Sequence, residues 1–500
     1  MPKSICISGG HILASDSEPL REGGLLIDGD RIAAILTPSE ATDVALYADE
    51  VVDATGMLLM PPLFDAHVHS TSTLARGTEN SLPLELWSYY AIAYGRGLTE
   101  ETIKHAVMLT NVEMIRNGIG GYIDHFPHTR FAMAGMDAHI RSGLRVGLAP
   151  FFADQYDEDI LGLPLDRDRL RTIAPQRSFD PKAVYAIFDE LVDSRNKLST
   201  DRITLLAGPN SPQRCSDAAW SLWRSLQSDF DLGSHTHLLE TIPQASAAKK
   251  RWPQGVVQAL DDAGLLHEKL SVGHGIWLSD AEKMLLAKRG VTVSFNPISN
   301  AMLGSGRKNA RHELDLGVSI ALGTDCSNTG GRHDLFEVMR HMFVSGRDAG
   351  SDFERWLTPV EVLAAATKSG ARALCSSVKT GTLEKGNGAD VLLLDFDAGG
   401  MTAAPYTPNS IVVHADPRNV CSLMVDGRWL LRDRVIVAFD ENEIVSAAKI
   451  SARNLRESGG EILELIESLH GPYGRWQETA INYCNCPACG NPNLGQAIRP

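Results

Sequence analysis

The sequence predicts an α/β protein: a (β/α)8 barrel carrying a small β-sandwich-like unit assembled from both ends of the chain. Three observations lead there. Eight short apolar runs, each ending in polar residues and each followed by helix-like sequence, fill the middle of the chain. Strand-and-turn sequence occupies both ends. The length of 500 residues is too great for one simple bundle, yet it suits a barrel of about 250 residues or more with a satellite unit.

Residues 4–13, 24–28, 31–36 and 51–59 read as strands, with Gly29-Asp30 as a turn between two of them. The eight runs that follow are MLLMPPLFDAHVH, GGYIDHF, LRVGLAPFF, ITLLAGPN, DLGSHTHLLE, LSVGHG, VTVSFNPIS and VSIALGTDC. Eight parallel strands close a barrel, and their polar ends then gather on the one face where barrel enzymes place their chemistry. Residues 154–198 are too long and too rich in Pro and Asp for a plain connection, and read as a lid or an oligomer contact. From Gly381 the strand rhythm returns in ADVLLLDFD, SIVVHAD and CSLMVDGRWLLRDRVIV, where Asp426-Gly427 is a hairpin signal. The expected division is therefore 1–60 plus 380–440 as a composite β domain, 61–379 as the barrel, and 441–500 as a C-terminal segment. In that segment 441–469 has an amphipathic helix pattern, and 471–500 is a Gly-, Pro- and Asn-rich tail.

Charge and composition exclude several classes. Lys and Arg number 47 against 62 Asp and Glu, a net charge of −15, which argues against general affinity for nucleic acid or an anionic membrane. No apolar run reaches the roughly 18 residues of a spanning helix. The opening MPKSICISGGHIL lacks the apolar region of a secretory signal, so a cytoplasmic location is expected. Cysteines 6, 215, 326, 375 and 421 stand alone, unlike a disulfide framework. Cys484, Cys486 and Cys489 cluster in the tail, where they read either as incidental thiols or as a zinc clip completed by His470 or a second subunit. A small-molecule substrate and a homo-oligomer are the expected partners.

His67 and His69 stand two apart at the end of the first run, so an extended strand points both imidazoles to one face. Alone, the pair fits a polar barrel mouth as well as a metal grip. Context shifts the balance, because the fifth run holds His235, His237 and Glu240, the sixth His274, and the eighth Asp325. Placing His67, His69, His237 and Asp325 around one divalent cation gives three nitrogens and a carboxylate, a set suited to Zn²⁺ or Fe²⁺ with room for water. Zinc is expected over iron. His235 shares the face of His237 and reads as a supporting partner or core residue.

The stretches PPLFDAHVHS, HTHLLET, VGHGIWLSDAE, NPISNAMLGSG and ALGTDCSN, in this order, resemble the amidohydrolase superfamily in its branch of cytosine, guanine and adenosine-type deaminases and triazine hydrolases. The resemblance extends to about residue 440 and rests on the order and spacing of the motifs. It implies ligands on strands one, five and eight, matching His67, His69, His237 and Asp325. It also implies a proton-shuttling role for Glu240 and a polarising role for His274. One metal is implied, since strand four, ITLLAGPNSP, has no Lys to bridge two.

The chemistry agrees. A divalent ion lowers the pKa of bound water from 15.7 toward about 7, Asp325 can accept the released proton, and a partly desolvated Glu240 can protonate a ring nitrogen. Glu240 is equally placed to be a solvated charge opening the next helix. The expected activity is hydrolytic deamination of a nitrogen heterocycle. Amide, urea or carbamate hydrolysis and aromatic dechlorination are the rival reactions, and an inactive scaffold is the rival from another class.

By the same resemblance, Trp87 occupies the position of a pocket-lining aromatic, although a core anchor is an equal reading. Nine positions on, similar deaminases carry an acidic residue for ribose hydroxyls. This chain has Arg96, a departure that points toward an anionic or carbonyl-bearing substrate. His125, His128 and Arg130 follow strand two and should face the mouth, with His128 the chosen substrate contact; a surface loop is the plain alternative. Asn210 and Asn300, read as ending strands four and seven, could hydrogen-bond a heterocycle or cap their own loops.

Overall fold

The computed structural model describes residues 4–15, 19–79, 81–163, 165–173, 179–457 and 460–484. Eight parallel strands form the barrel: Leu63–Val68, Ile119–Phe126, Arg145–Phe152, Ile203–Pro209, Gly233–Leu238, Leu270–His274, Thr292–Phe295 and Ser319–Leu322. They pair strictly in chain order. The first two are buried along their whole length, as expected of strands packed on both faces. Closure runs through the residues of interest: the Asp325 amide donates to the His67 carbonyl at 2.8 Å, and Val68 bridges Asp325 in parallel register. Buried Asp65 clamps the seam, accepting from the Thr324 amide at 3.1 Å and the Thr324 hydroxyl at 2.5 Å.

Outside the barrel lies one continuous nine-stranded mixed sheet. Its N-terminal and C-terminal contributions meet where Met57–Met60 pairs antiparallel with Val391–Asp395, Leu59 opposite Leu393. A single apolar cluster draws on both ends, with Ile7, Leu25, Ile32 and Leu59 packed with Val391, Leu393 and Met424. The run MLLMPPLFDAHVH, expected as one barrel strand, is thus divided between the two sheets. Pro61 and Pro62 cannot donate to a ladder, and the chain changes sheet there. Asp426 and Gly427 both have positive φ, at 55° and 70°, the two left-handed residues of a tight hairpin turn between Val420–Val425 and Arg428–Arg432.

Three expectations for local structure are corrected. SIVVHAD does not form a strand: Pro408–His414 is a helix, started by the Thr407 side chain accepting from the Ser410 amide and by Pro408 in the first turn. The second half of the 154–198 stretch is the regular barrel helix Pro181–Asn196, N-capped by Asp180, so the irregular part is shorter. The helix His470–Cys484 occupies the beginning of the expected tail, anchored by buried Tyr473. Cys486 and Cys489 lie outside the described residues, as does the side chain of Cys484. His470 sits 3.1 Å from the Tyr90 hydroxyl. Among the described residues no helix is long and apolar enough to cross a membrane.

Candidate active site

Strand alternation puts Asp65, His67 and His69 on one face of the first barrel strand, and the inward ends of strands five, six and eight bring the remaining ligand-type residues to them. Gly273 makes room, since a Cβ there would lie 2.9 Å from the His67 ring. His274 and Asp325 both adopt positive φ, 66° and 65°, a strained backbone of the kind held at functional sites.

Hydrogen bonds settle the tautomers. His69 Nδ1–H donates to the His125 carbonyl at 2.5 Å, and His237 Nδ1–H donates to the Asn210 carbonyl at 2.7 Å. With Nδ1 of each ring turned to a backbone carbonyl, Nε2 is the atom turned to the centre, and the two Nε2 atoms face one another at 3.2 Å. Asp325 Oδ1 stands 3.4 Å from His69 Nε2 and 3.6 Å from His67 Nε2, and the latter nitrogen is buried with no hydrogen-bond partner among the described residues. Four atoms about 2.1 Å from an ion in tetrahedral array would stand about 3.4 Å apart. Burial, reinforced by the neighbouring imidazoles, holds His67 and His237 far below the usual histidine pKa and therefore neutral, the form that ligates. Burial opposes the charge on Asp325, but His274, His69 and the Ser299 hydroxyl, 2.6 Å from Oδ2, outweigh it and hold the carboxyl below its ordinary value. Facing Nε2 atoms, the neutral rings of His67 and His237 and one ionised carboxylate fit a divalent ion.

His274 and Glu240, expected from the sequence to handle protons, lie beside this cluster. His274 Nε2 is 3.5 Å from Glu240 Oε2 and 3.9 Å from Asp325 Oδ2, so one imidazole nitrogen is flanked by both carboxylates. Burial pushes the Glu240 carboxyl up, partly offset by His274, and Ser305 donates to Oε1 at 2.9 Å. His235 is a supporting residue: its Nε2 meets His67 Nδ1 at 2.7 Å and its Nδ1 meets the Ser271 hydroxyl at 2.7 Å.

The sequence-derived substrate contacts fare unevenly. Trp87 is buried with Leu84, Leu303 and Cys326, next to Asp325, and its indole N–H has no partner among the described residues. Asn210 acts on the site through its carbonyl, while its side-chain Oδ1 accepts from Arg214 at 2.7 Å. Asn300 lies within the helix Pro297–Met302 and not at a strand end, which Asn296 marks instead; its Oδ1 accepts from His274 Nδ1–H at 2.8 Å. Arg96 is not brought to the cluster. It is exposed at the end of the helix Leu84–Gly95 and donates to the Thr172 carbonyl at 2.7 Å, tying that helix to the irregular segment after strand three. His128 is half-buried against Gly95 and the edge of Phe126, apart from the ring cluster, and exposed Arg130 lies over Phe131.

Sequence reasoning passed over several residues. Asp65 was detectable, two positions before His67 on the same strand face. Ser299, Ser305 and Glu85 carried no local signal. Glu85 accepts from the Thr241 hydroxyl at 2.5 Å and the Tyr473 hydroxyl at 2.7 Å, joining the residue after Glu240 to the C-terminal helix.

Known proteins resemble this chain in sequence and in fold. The chain is 30% identical over 455 residues to a 5'-deoxyadenosine deaminase of Methanothermobacter thermautotrophicus, covering 91% of this chain and 99% of the relative. It is 29% identical over 430 residues to a 5-methylthioadenosine/S-adenosylhomocysteine deaminase of Thermococcus kodakarensis, covering 86% and 94%. An adenosine deaminase from Xanthomonas campestris, solved with bound zinc, has the same fold, with a TM-score of 0.80 at 24% identity over 91% of this chain and 98% of that one. The model of the Amidohydrolase family matches residues 58–430, which span the barrel strands and their inward-facing histidines, and the chain belongs to that family.

Proposed function

We propose that this protein is a metal-dependent aminohydrolase that removes an amino group from a nitrogen heterocycle, releasing ammonia and leaving a ring carbonyl. The observation that carries the reading is the placement of His274 Nε2 between Glu240 and Asp325, beside the facing Nε2 atoms of His69 and His237. His67, His69, His237 and Asp325 would hold the ion, zinc in preference to iron. When bound, such an ion lowers the pKa of water and polarises the reacting carbon. The names and coverage of the relatives support a deaminase, and an adenosine-type nucleoside heads the substrates to test. A homo-oligomer and a cytoplasmic location belong to the same reading.

The chain's own groups do the rest. Asp325, ionised and steadied by Ser299, accepts the proton of the attacking water. Glu240, whose carboxyl burial pushes up, delivers its proton to the ring nitrogen; the proton taken up by Asp325 then passes to the leaving amine, and the hydroxyl proton returns to Glu240 as the ring carbonyl forms. His274, with Nδ1–H held by Asn300, presents Nε2 to Glu240 and Asp325 and so positions both carboxylates around the reacting group. Trp87 offers a buried apolar wall with one free N–H, a surface suited to a flat ring with an acceptor at its edge.

Glu240→Gln keeps size and polarity but cannot shuttle a proton, so bound metal should be unchanged while kcat falls by about 10² or more. His237→Ala should lose both metal and turnover. Metal analysis of the purified protein, with ammonia release measured on adenosine-type nucleosides, purines, pterins, pyrimidines and triazines, tests the whole reading. It fails if no heterocycle releases ammonia, or if only ureas, amides or chlorinated rings react. Near-normal turnover by Glu240→Gln with metal in place removes the shuttle assignment.

A further inference from the structure

His125, at the end of the second barrel strand, is a histidine that the mechanism above leaves without a task. It is fully buried, and neither ring nitrogen has a hydrogen-bond partner among the described residues. Its neighbours differ in this respect. The outer nitrogen of His67 meets His235, that of His69 the His125 carbonyl, that of His237 the Asn210 carbonyl and that of His274 Asn300. Each of those rings is oriented by its Nδ1 and leaves Nε2 for the centre. The ring of His125 is oriented by packing instead, with Phe151 at a centroid distance of 4.0 Å and an interplanar angle of 66°.

The ring also points into the cluster. Its centroid lies 4.6 Å from that of His237 and 5.6 Å from that of His69. One of its nitrogens falls within 4.8 Å of ligand-type nitrogens of His67, His69 and His237, all four atoms being mutually that close. Two ligands on opposite sides of one ion at about 2.1 Å would stand about 4.2 Å apart, so this spacing needs only a small adjustment. Glu240 and Asp325 both stand outside this four-histidine group, which lies toward the side of strands one, two and five, and Asp325 Oδ1 joins it from the other side through His69 Nε2 at 3.4 Å and His67 Nε2 at 3.6 Å.

We propose that His125 is a further ligand of the ion held by His67, His69, His237 and Asp325, giving a centre of four imidazoles and one carboxylate. This deepens the metal-dependent reading and rests on it. Four imidazoles favour a divalent transition ion over Mg²⁺ or Ca²⁺, and five protein donors leave one position for water in a six-coordinate sphere.

The test removes the ligand without removing the packing. His125→Phe keeps a ring against Phe151, and His125→Asn keeps a polar group in a smaller volume; circular dichroism checks that each is folded. Metal-free wild type and both variants are titrated with Zn²⁺ and, separately, with Co²⁺. The expected result is at least a tenfold loss of Zn²⁺ affinity in both variants and a stronger visible Co²⁺ absorption as the coordination number drops. Wild-type affinity together with an unaltered Co²⁺ spectrum in a folded variant overturns the proposal. A crystal structure of the Zn²⁺-loaded wild type gives an answer that needs no variant: a His125 nitrogen at about 2.0 to 2.2 Å from the ion supports it, and one beyond about 3 Å overturns it. If wild type takes up no divalent ion, the metal-dependent reading itself falls and this proposal with it. Metal uptake with His125 uninvolved leaves that reading standing.

Discussion

Two backbone carbonyls, those of His125 and Asn210, decide which nitrogen of His69 and of His237 carries the proton. A side chain, Asn300, does the same for His274. On the proposed reading Asn300 positions His274, since its Oδ1 is engaged with that ring. Replacing it by Leu leaves His274 Nδ1–H unpaired and the ring free to turn, so kcat should fall about 10- to 100-fold with bound metal unchanged. Asn300→Asp restores an acceptor and should recover part of the loss. Equal turnover in wild type and Asn300→Leu would show that the ring is held by other means.

At the scale of elements, the helix His470–Cys484 reaches the site through Tyr473, whose hydroxyl donates to Glu85 at 2.7 Å. Glu85 lies in the first turn of the helix that also carries Trp87, and its other oxygen receives Thr241, the neighbour of Glu240. Tyr473→Phe removes one donor from a buried carboxyl and should lower stability by about 1–3 kcal/mol in chemical denaturation. Burial raises the Glu85 carboxyl above the usual carboxylate range, with Thr241 and Tyr473 pulling it back in part. The folded chain thus binds this proton more tightly than the unfolded chain. Its contribution to stability is present in acid and is lost as pH rises through the raised value. Measured against Glu85→Gln, the wild-type stability advantage should shrink as pH is raised above about 4 and level off once the folded carboxyl has ionised. An advantage that grows over this interval would contradict the assignment.

At the scale of the whole molecule, the barrel and the outer sheet are joined far from the chemistry. Arg145 begins the third barrel strand, at the end opposite the site, and is almost fully buried. Its Nε and Nη2 donate to Asp390 at 2.6 and 3.0 Å, and Nη2 also donates to Asp426 at 3.0 Å, in the hairpin turn of the outer sheet. Removing one partner of such a pair strands a buried charge, so Arg145→Met should destabilise by about 3–5 kcal/mol, read from urea unfolding. Turnover below the unfolding transition should stay near wild type, because Arg145 stands at the start of its strand, at the barrel face opposite the candidate site. The double variant Arg145→Met with Asp390→Leu should be more stable than the single one, since it leaves fewer uncompensated charges.

The sequence by itself determined the eight-strand rhythm, the pairing of His67 with His69 on one face, and the polar strand ends at His237, His274 and Asp325. These are local features: alternation and run length are written within a few consecutive residues, and burial on both faces makes parallel strands legible as apolar runs. Tertiary structure decided which groups each polar residue meets. His67 and His235 are 168 positions apart, Asn300 and His274 are 26, and Glu85 and Tyr473 are 388, so no window of sequence contains both partners. The same holds for the errors. SIVVHAD has the composition of a strand but follows a Thr-Pro helix start, and Arg96 was judged by its distance from His69 although the end of its helix turns outward to Thr172. His125 could be placed near the mouth from its position after strand two. Only the packing of Phe151 and the Nδ1 hydrogen bond made by each neighbouring ring single it out, among the described residues of the cluster, as the imidazole with both nitrogens unspent.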